Sequence, residues 1–319
     1  MDRKVKWGIA GLGNIANKFA TDLIKNSESD LVAVASSNFN RAMKFKSSYG
    51  AKRAYKSYSQ LFEDEDVEVV YIASLNNHHK KMTFDALNSR KAVLCEKPLG
   101  LNTTEIKQMI AKAKNKNCFL MEGLWSRFNP AINRAKKWIK EGKIGIPKFI
   151  YAEFSFYRLD ADNSHRLMDP KKGGGALLDI GIYPLFFAYY ILGLPKNIKA
   201  QKMLGPTGVD IQTSMILEYE NAHAMLYCGI ANPSDNNAKI CGTKGQIILP
   251  GRWHDAQSIK LMNNSNLLED ILPTEGNGFT YQIKEVNQCL IDGKKQGKWS
   301  LKNSLELALL LEKVKKISD

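Results

Sequence analysis

Lys97 has the setting best suited to chemistry. It follows the apolar run Val93-Leu94-Cys95 in the segment Val93-Leu94-Cys95-Glu96-Lys97-Pro98. In an open parallel sheet, ligands sit outside the carboxyl ends of the strands, so an ammonium at such an end faces what is bound. A second cluster lies in Gly173-Gly174-Gly175-Ala176-Leu177-Leu178-Asp179-Ile180-Gly181-Ile182-Tyr183-Pro184. Its leading glycines free the chain to approach a ligand, and helical spacing puts Asp179 and Tyr183, four apart, on one face. A tyrosine titrates at about 10, so at neutral pH it exchanges protons only when a cation steadies the phenolate. A lysine about 5 Å away, at an effective dielectric of about 20, supplies roughly 3 kcal/mol, or about two pKa units. The other reading makes Asp179 a helix cap and Tyr183 a core aromatic.

Proton management of this kind serves redox chemistry when a dinucleotide is present, and the chain opens with the matching fingerprint. Val5-Lys6-Trp7-Gly8-Ile9-Ala10 reads as a buried strand, Gly11-Leu12-Gly13-Asn14-Ile15-Ala16 as a Gly-x-Gly-x-x-Ala turn entering a helix near 18–25. Gly11 permits the turn, Gly13 lets the backbone approach a pyrophosphate, Ala16 packs helix on strand, and the helix N-terminus favours phosphate. A carboxylate at the end of the second strand, 31–35, would accept the ribose hydroxyls of NAD. The tip here is Ser36-Ser37-Asn38-Phe39-Asn40-Arg41, with no carboxylate. Hydroxyls, an amide and a guanidinium suit the 2′-phosphate of NADP, so NADP is expected ahead of NAD, with NAD the alternative.

Strand and helix alternate up to residue 123: helices near 41–49, 58–63, 79–89 and 103–114, and strands at 67–73, up to 95, and 118–122. Such alternation implies a doubly wound parallel sheet, a Rossmann domain over 1–123. Beyond Pro130 the pattern turns to long strands: 148–158, a hairpin over 213–230, the pair 238–242 and 246–250, and a final helix over 304–317. This predicts an α+β domain with an open, mostly antiparallel sheet over 124–319.

The chain has 319 residues, 44% hydrophobic and 24% charged, which is ordinary for a globular enzyme of two domains. Its net charge of +14 comes from Lys and Arg scattered along the sequence, a field suited to an anionic cofactor and not a nucleic-acid stripe. Cys95, Cys118, Cys228, Cys241 and Cys289 form no Cys-x-x-Cys pair and no cluster with His, which argues against a metal site or disulfide framework and for a reducing compartment, the cytoplasm. No signal-peptide pattern opens the chain. The apolar stretch 176–195 is interrupted by Asp179, Gly181 and Pro184, so it reads as core and not as a membrane span.

Together, the fingerprint, Glu96-Lys97-Pro98 and the Gly-Gly-Gly-x-Leu-x-Asp-x-Gly-x-Tyr segment resemble the glucose-fructose oxidoreductase/inositol dehydrogenase/rhizopine-catabolism family, in particular its dihydrodiol dehydrogenase/D-xylose dehydrogenase branch. The likeness extends to Met121-Glu122-Gly123-Leu124-Trp125-Ser126-Arg127-Phe128, Cys241-Gly242-Thr243-Lys244-Gly245 and Gly278-Phe279-x-Tyr281. The resemblance implies hydride transfer between nicotinamide and a hydroxyl carbon of a sugar, polyol or trans-dihydrodiol, a homodimer or higher homo-oligomer built on the open sheet, and a cis Lys97-Pro98 peptide. It places Lys97 and Tyr183 beside the nicotinamide, with Asp179 orienting substrate or lysine. It also puts Gly11, Gly13, Asn14, Ile15, Ser36, Ser37, Asn38, Arg41, Glu96, Lys97, Trp125 and Arg127 on the cofactor, together with Ser74, Leu75, Asn76 and His79 of Ser74-Leu75-Asn76-Asn77-His78-His79. Trp125, Phe154, Trp253 and Phe279 echo an aromatic substrate cluster, each with core packing as its other reading, and Arg166 is the expected polar contact to substrate. A different class, a non-catalytic NAD(P)-binding ligand sensor of the same fold, is disfavoured because Lys97, Asp179 and Tyr183 are all present.

Overall fold

The run Val5–Ala10 is buried on both faces of its pleat at every position except Lys6, as an inner strand is. The computed structural model, which describes residues 3–263 and 266–317, places it as β1 (Val5–Ala10) of a parallel sheet. There follow α1 (Asn14–Leu23), β2 (Ser29–Ala35), α2 (Phe39–Tyr49), β3 (Arg53–Tyr55), α3 (Tyr58–Glu63), β4 (Val69–Ile72), α4 (His79–Asn88), β5 (Ala92–Glu96), α5 (Thr103–Lys116) and β6 (Leu120–Gly123). The order β3-β2-β1-β4-β5-β6, parallel throughout, is the doubly wound dinucleotide topology, with its switch point between β1 and β4.

Next come α6 (Pro130–Lys140), β7 (Pro147–Ser155), α7 (Ile182–Leu192), β8 (Asn197–Leu204), β9 (Asp210–Glu218), β10 (His223–Gly229), β11 (Ala238–Gly242), β12 (Gln246–Leu249), β13 (Ser258–Asn263) and β14 (Asn266–Ile271). These strands form one sheet, β14-β13-β12-β11-β7-β10-β9-β8, antiparallel at every step except β7 beside β10. Register carries Ile216, Met225, Tyr151, Lys239, Ile248 and Lys260 across one face. The opposite face, with Met215, Leu217, Ala224, Leu226, Ile150 and Ala152, is buried. The stretch Pro170–Leu192 is long and apolar enough to cross a membrane, but 83% of its apolar window is buried inside the protein.

Two helices close the chain, α8 (Thr280–Ile291) and α9 (Leu301–Lys316). They alter the expected domain division. The compact units are Met1–Trp125 with Glu275–Leu305, and Ser126–Thr274 with Glu306–Asp319, so 124–319 is not one contiguous domain. The returning segment satisfies buried polar groups of the first unit: Trp7 Nε1 donates to Asn287 Oδ1 at 2.9 Å, and Asn287 Nδ2 donates to Ser29 Oγ at 2.9 Å. An unpaired buried N–H would cost about 1–3 kcal/mol, so this segment completes the first core.

The segment after Pro130 is also not strand at its start. Asn129 accepts the N–H groups of Ala131 and Ile132 and Pro130 occupies the first turn, which nucleates α6. The 179–183 stretch differs in kind as well: Leu177–Gly181 is a single π-helical turn leading into α7. A Cβ on Gly181 would stand 2.8 Å from Cys228 Sγ, so glycine is what lets this wide turn press on β10.

Candidate active site

In the first unit, β1 delivers the chain into the fingerprint at the switch point. Gly11 has φ +91°, and a Cβ there would meet the Ala73 carbonyl oxygen at 2.8 Å, so the turn tolerates glycine alone. Gly13 is the N-cap of α1, and a Cβ on it would meet nothing within 4 Å. The protein's own packing therefore does not require glycine at this position; close approach by a phosphate does, and the turn fits a dinucleotide. Asn14 is exposed and Ile15 half-buried at the start of α1, while Ala16 is fully buried. At the end of β2, the buried Ser36 Oγ accepts the Asn38 N–H at 3.2 Å and Asn38 Oδ1 accepts the Arg41 N–H at 3.0 Å, capping α2. Ser37, Asn38 and Arg41 are exposed.

Lys97 leaves β5 on a turn fixed at consecutive residues. Glu96 Oε2 accepts the Lys97 N–H at 3.2 Å, the Pro98 carbonyl lies 2.8 Å from His79 Nδ1, and the Leu99 N–H donates to Glu122 Oε1 at 2.9 Å. The Lys97-Pro98 peptide is cis. Glu96, Pro98, Leu99 and Gly100 are buried while Lys97 is half-buried. Tyr71 donates its hydroxyl to Glu96 Oε1 at 2.6 Å, and burial pushes the Glu96 carboxyl up to about 7. His79 also places Nε2 3.2 Å from the Ser74 carbonyl, and burial pushes its imidazole down to about 4. These two residues, expected against the cofactor, are enclosed braces: His79 joins the β4 loop to the Lys97 turn, and Glu96 joins β4 to β5. Ser74 and Asn76 are half-buried and Leu75 exposed on that loop.

The second unit carries Tyr183 in the first turn of α7. Its ring lies 5.5 Å from Phe154 and 5.4 Å from His254, whose imidazole stacks on Phe154 at 4.0 Å. Asp179 in the π-turn receives Arg166 through Nη1 to Oδ1 at 2.9 Å and Nη2 to Oδ2 at 3.4 Å. Asp210 accepts the Leu177 N–H at 2.7 Å and so anchors the start of the same turn. His254 is a residue that sequence reasoning misses. Nothing in Arg252-Trp253-His254-Asp255 has a spacing that marks a site; the ring is brought in because Ser126 Oγ donates to the His254 carbonyl at 2.6 Å and Asn129 Nδ2 to that of Ala256 at 3.1 Å.

Other aromatic positions resolve as core. Trp253 is fully buried, its Nε1 donating to the Glu153 carbonyl at 2.7 Å. Phe279 is enclosed in the first unit between Trp125 at 5.3 Å and Phe19 at 5.9 Å. Trp125 itself is buried. Arg127 donates to Asn133 Oδ1 at 2.8 Å and lies 4.5 Å over the Tyr190 ring, contacts that hold it on the helices of the second unit.

A parallel sheet in this strand order with the glycine turn at its switch point defines a dinucleotide-dependent oxidoreductase. Residues 5–124 match the oxidoreductase family with an NAD-binding Rossmann fold, and residues 132–248 match the GFO/IDH/MocA C-terminal domain. The chain belongs to the GFO/IDH/MocA family and is an NAD(P)-dependent dehydrogenase. The trans-1,2-dihydrobenzene-1,2-diol dehydrogenase of Mus musculus is 36% identical over 323 residues, 98% of this chain and 96% of that one. Its Homo sapiens counterpart is 34% identical over 324 residues, with the same coverage. Among solved structures, KijD10, a 3-ketoreductase from Actinomadura kijaniata in complex with NADP and TDP-benzene, superimposes with TM-score 0.88 at 24% identity over 98% of this chain and 97% of that one. The aldose-aldose oxidoreductase from Caulobacter crescentus complexed with glycerol gives 0.90 at 23%, with the same coverage.

Proposed function

We propose that this dehydrogenase uses NADP to interconvert a hydroxyl and a carbonyl on a sugar, polyol or trans-dihydrodiol. The observation that carries the reading is the Lys97 turn: a half-buried lysine on a backbone held at consecutive residues, at the carboxyl end of β5 in a dinucleotide-binding sheet. Bound nicotinamide would supply the two-electron chemistry as hydride donor or acceptor. Gly11, Gly13 and the α1 N-terminus would hold the pyrophosphate, and Ser36, Ser37, Asn38 and Arg41 the adenosine ribose with its phosphate. The absence of any carboxylate between Ser36 and Arg41 supports NADP over NAD.

Tyr183 takes the hydroxyl proton in one direction and returns it in the other. Lys97 polarises the substrate oxygen. Asp179 orients Arg166, which keeps further N–H donors of its fork for a substrate hydroxyl. Phe154 and His254 offer ring faces beside Tyr183, suited to the apolar face of a pyranose or an arene. The dihydrodiol dehydrogenases and the aldose-aldose oxidoreductase among its relatives support that class.

The test is nicotinamide absorbance with NADP or NAD across aldopentoses, aldohexoses, inositols and trans-dihydrodiols. Reduction of NADP by a member of the panel is expected; silence with tight NADP binding in the same samples overturns the reading. Lys97→Met should abolish turnover and retain NADP binding.

The open sheet face supports a homodimer. Met203, Ile216, Met225, Leu267 and Ile271 are exposed there, and large apolar side chains gathered on one open face suit a partner surface. Ile216→Lys should shift sedimentation from dimer to monomer; an unchanged mass excludes this face. Five free cysteines support a reducing compartment, the cytoplasm, which cell fractionation tests.

A further inference from the structure

The turn that carries Lys97 is gripped from two neighbouring strands by carboxyl groups. Register pairs Cys95 with Glu122 and Glu96 with Gly123. Since successive side chains of a strand alternate, Glu96 and Glu122 leave the sheet on opposite faces. Glu96 takes the Lys97 N–H, and Glu122 takes the Leu99 N–H. Glu122 also reaches the other way, for its second oxygen, Oε2, accepts Trp299 Nε1 at 3.0 Å. Trp299 is fully enclosed on the segment that returns to the first unit.

A buried carboxyl on β6, the edge strand of the sheet, is an expensive choice where an apolar residue would fill the space. Burial raises the Glu122 pKa, while Ser304, Trp299, the Leu99 amide and the Lys97 charge favour its ionised form. Two N–H groups aimed at two different oxygens need a group that accepts on both sides, which a carboxylate does and an amide does not. The donors come from segments 23 and 177 residues away, so Glu122 links the turn after Lys97 to the far end of the chain.

The geometry points to Glu122 as a positioning residue for Lys97, holding the Leu99 amide so that the ammonium keeps one orientation, with Trp299 fixing the carboxylate that does so. This rests on the catalytic reading of Lys97. Glu122 touches no reacting atom; it acts through the turn.

The test uses the full chain, NADP and the best substrate of the panel. Glu122→Gln keeps the shape but sets an amide NH2 against one of the two donors. It should lower kcat about ten- to a hundredfold, with both KM values and NADP affinity within about twofold. The Leu99 amide should exchange its hydrogen faster. Adding Trp299→Phe removes the opposing indole N–H, lets the Gln oxygen turn to Leu99, and should restore most of kcat. Glu122→Asp, with the reach shortened by one methylene, should lower kcat and speed Leu99 exchange as well, which keeps the test available if Glu122→Gln does not fold.

Normal kcat in either single variant with accelerated Leu99 exchange overturns the proposal. So does a loss of kcat matched by equal losses of NADP affinity and thermal stability, since that describes a purely structural part. Lys97→Met separates the two levels. Normal turnover there removes Lys97 from the mechanism, and this inference with it. Abolished turnover there, beside normal turnover in the Glu122 variants, removes Glu122 alone.

Discussion

Arg166 and Asp179 meet through two bonds, Nη1 to Oδ1 at 2.9 Å and Nη2 to Oδ2 at 3.4 Å. The arginine side chain is 44% exposed and the aspartate 11%, so one end of the pair faces water and the other is built into the π-turn. Arg166→Lys keeps the charge and loses the fork. It should lower kcat/KM about tenfold, by about 1.4 kcal/mol, while thermal stability stays close to wild type because the cation is well exposed. Steady-state kinetics beside a melting curve checks it; kcat/KM unchanged in Arg166→Lys removes the fork from substrate orientation.

Cofactor preference should move with one side chain. Asn38 caps α2, and aspartate caps a helix as well as asparagine does. Asn38→Asp therefore keeps the helix and places a carboxylate where the 2′-phosphate of NADP is proposed to sit. Two such charges about 5 Å apart at an effective dielectric of about 20 repel by roughly 3 kcal/mol. NADP turnover should fall about tenfold or more, less at high salt, with NAD turnover unchanged or higher. Equal effects on both cofactors would place the phosphate elsewhere.

Trp253 and Phe154 should separate stability from catalysis. Trp253→Ala removes a fully buried indole with its bond to the Glu153 carbonyl and should cost about 3–5 kcal/mol of stability. Phe154 is half-buried beside Tyr183 and His254. Phe154→Ala should change substrate KM and substrate ranking more than it changes the melting temperature. Denaturation curves and kinetics on the same preparations decide.

Stability should respond to pH through two opposed groups. Glu96, pushed up to about 7 by burial, binds its proton more tightly folded than unfolded. Its contribution is fully present below about 4.5 and is lost as pH rises through about 7. His79, pushed down to about 4 by burial, does the reverse: its contribution is present above about 6.5 and is lost as pH falls through about 4. Glu96→Gln should therefore make stability rise more steeply between pH 5 and 7, at about those limits. His79→Gln should leave the Glu96 decline exposed over the same interval. Chemical denaturation at stepped pH measures both slopes, and parallel curves for wild type and Glu96→Gln would show that Glu96 does not titrate there.

What is legible in the sequence is what depends on neighbours in the chain. Gly11, Gly13 and Ala16 declare the first unit because strand, turn and helix are adjacent, and Glu96-Lys97-Pro98 declares the β5 end for the same reason. Parts that depend on distant partners are not legible. α8 buries Gln282, Glu285 and Asn287, so its polar residues hide the apolar stripe that would announce it. β14 is exposed at nearly every position and lacks the alternation of a half-buried strand. His79 carries a motif that suggests a surface contact, and only the carbonyls of Ser74 and Pro98 on either side of its ring show it to be a brace. The π-turn is invisible because it changes no residue type, only the spacing at which 177–181 face their neighbours.

The indole of Trp7 has a consequence for how the chain is made. Its hydrogen-bond partner, Asn287, lies 280 residues downstream. At synthesis rates of about 5–20 residues per second, that partner leaves the ribosome roughly 15–55 s after Trp7 does. The nucleotide-binding unit is thus first to emerge, yet it is completed only by residues near the end of the chain. Until then the Trp7 indole lacks the acceptor that it has in the finished protein.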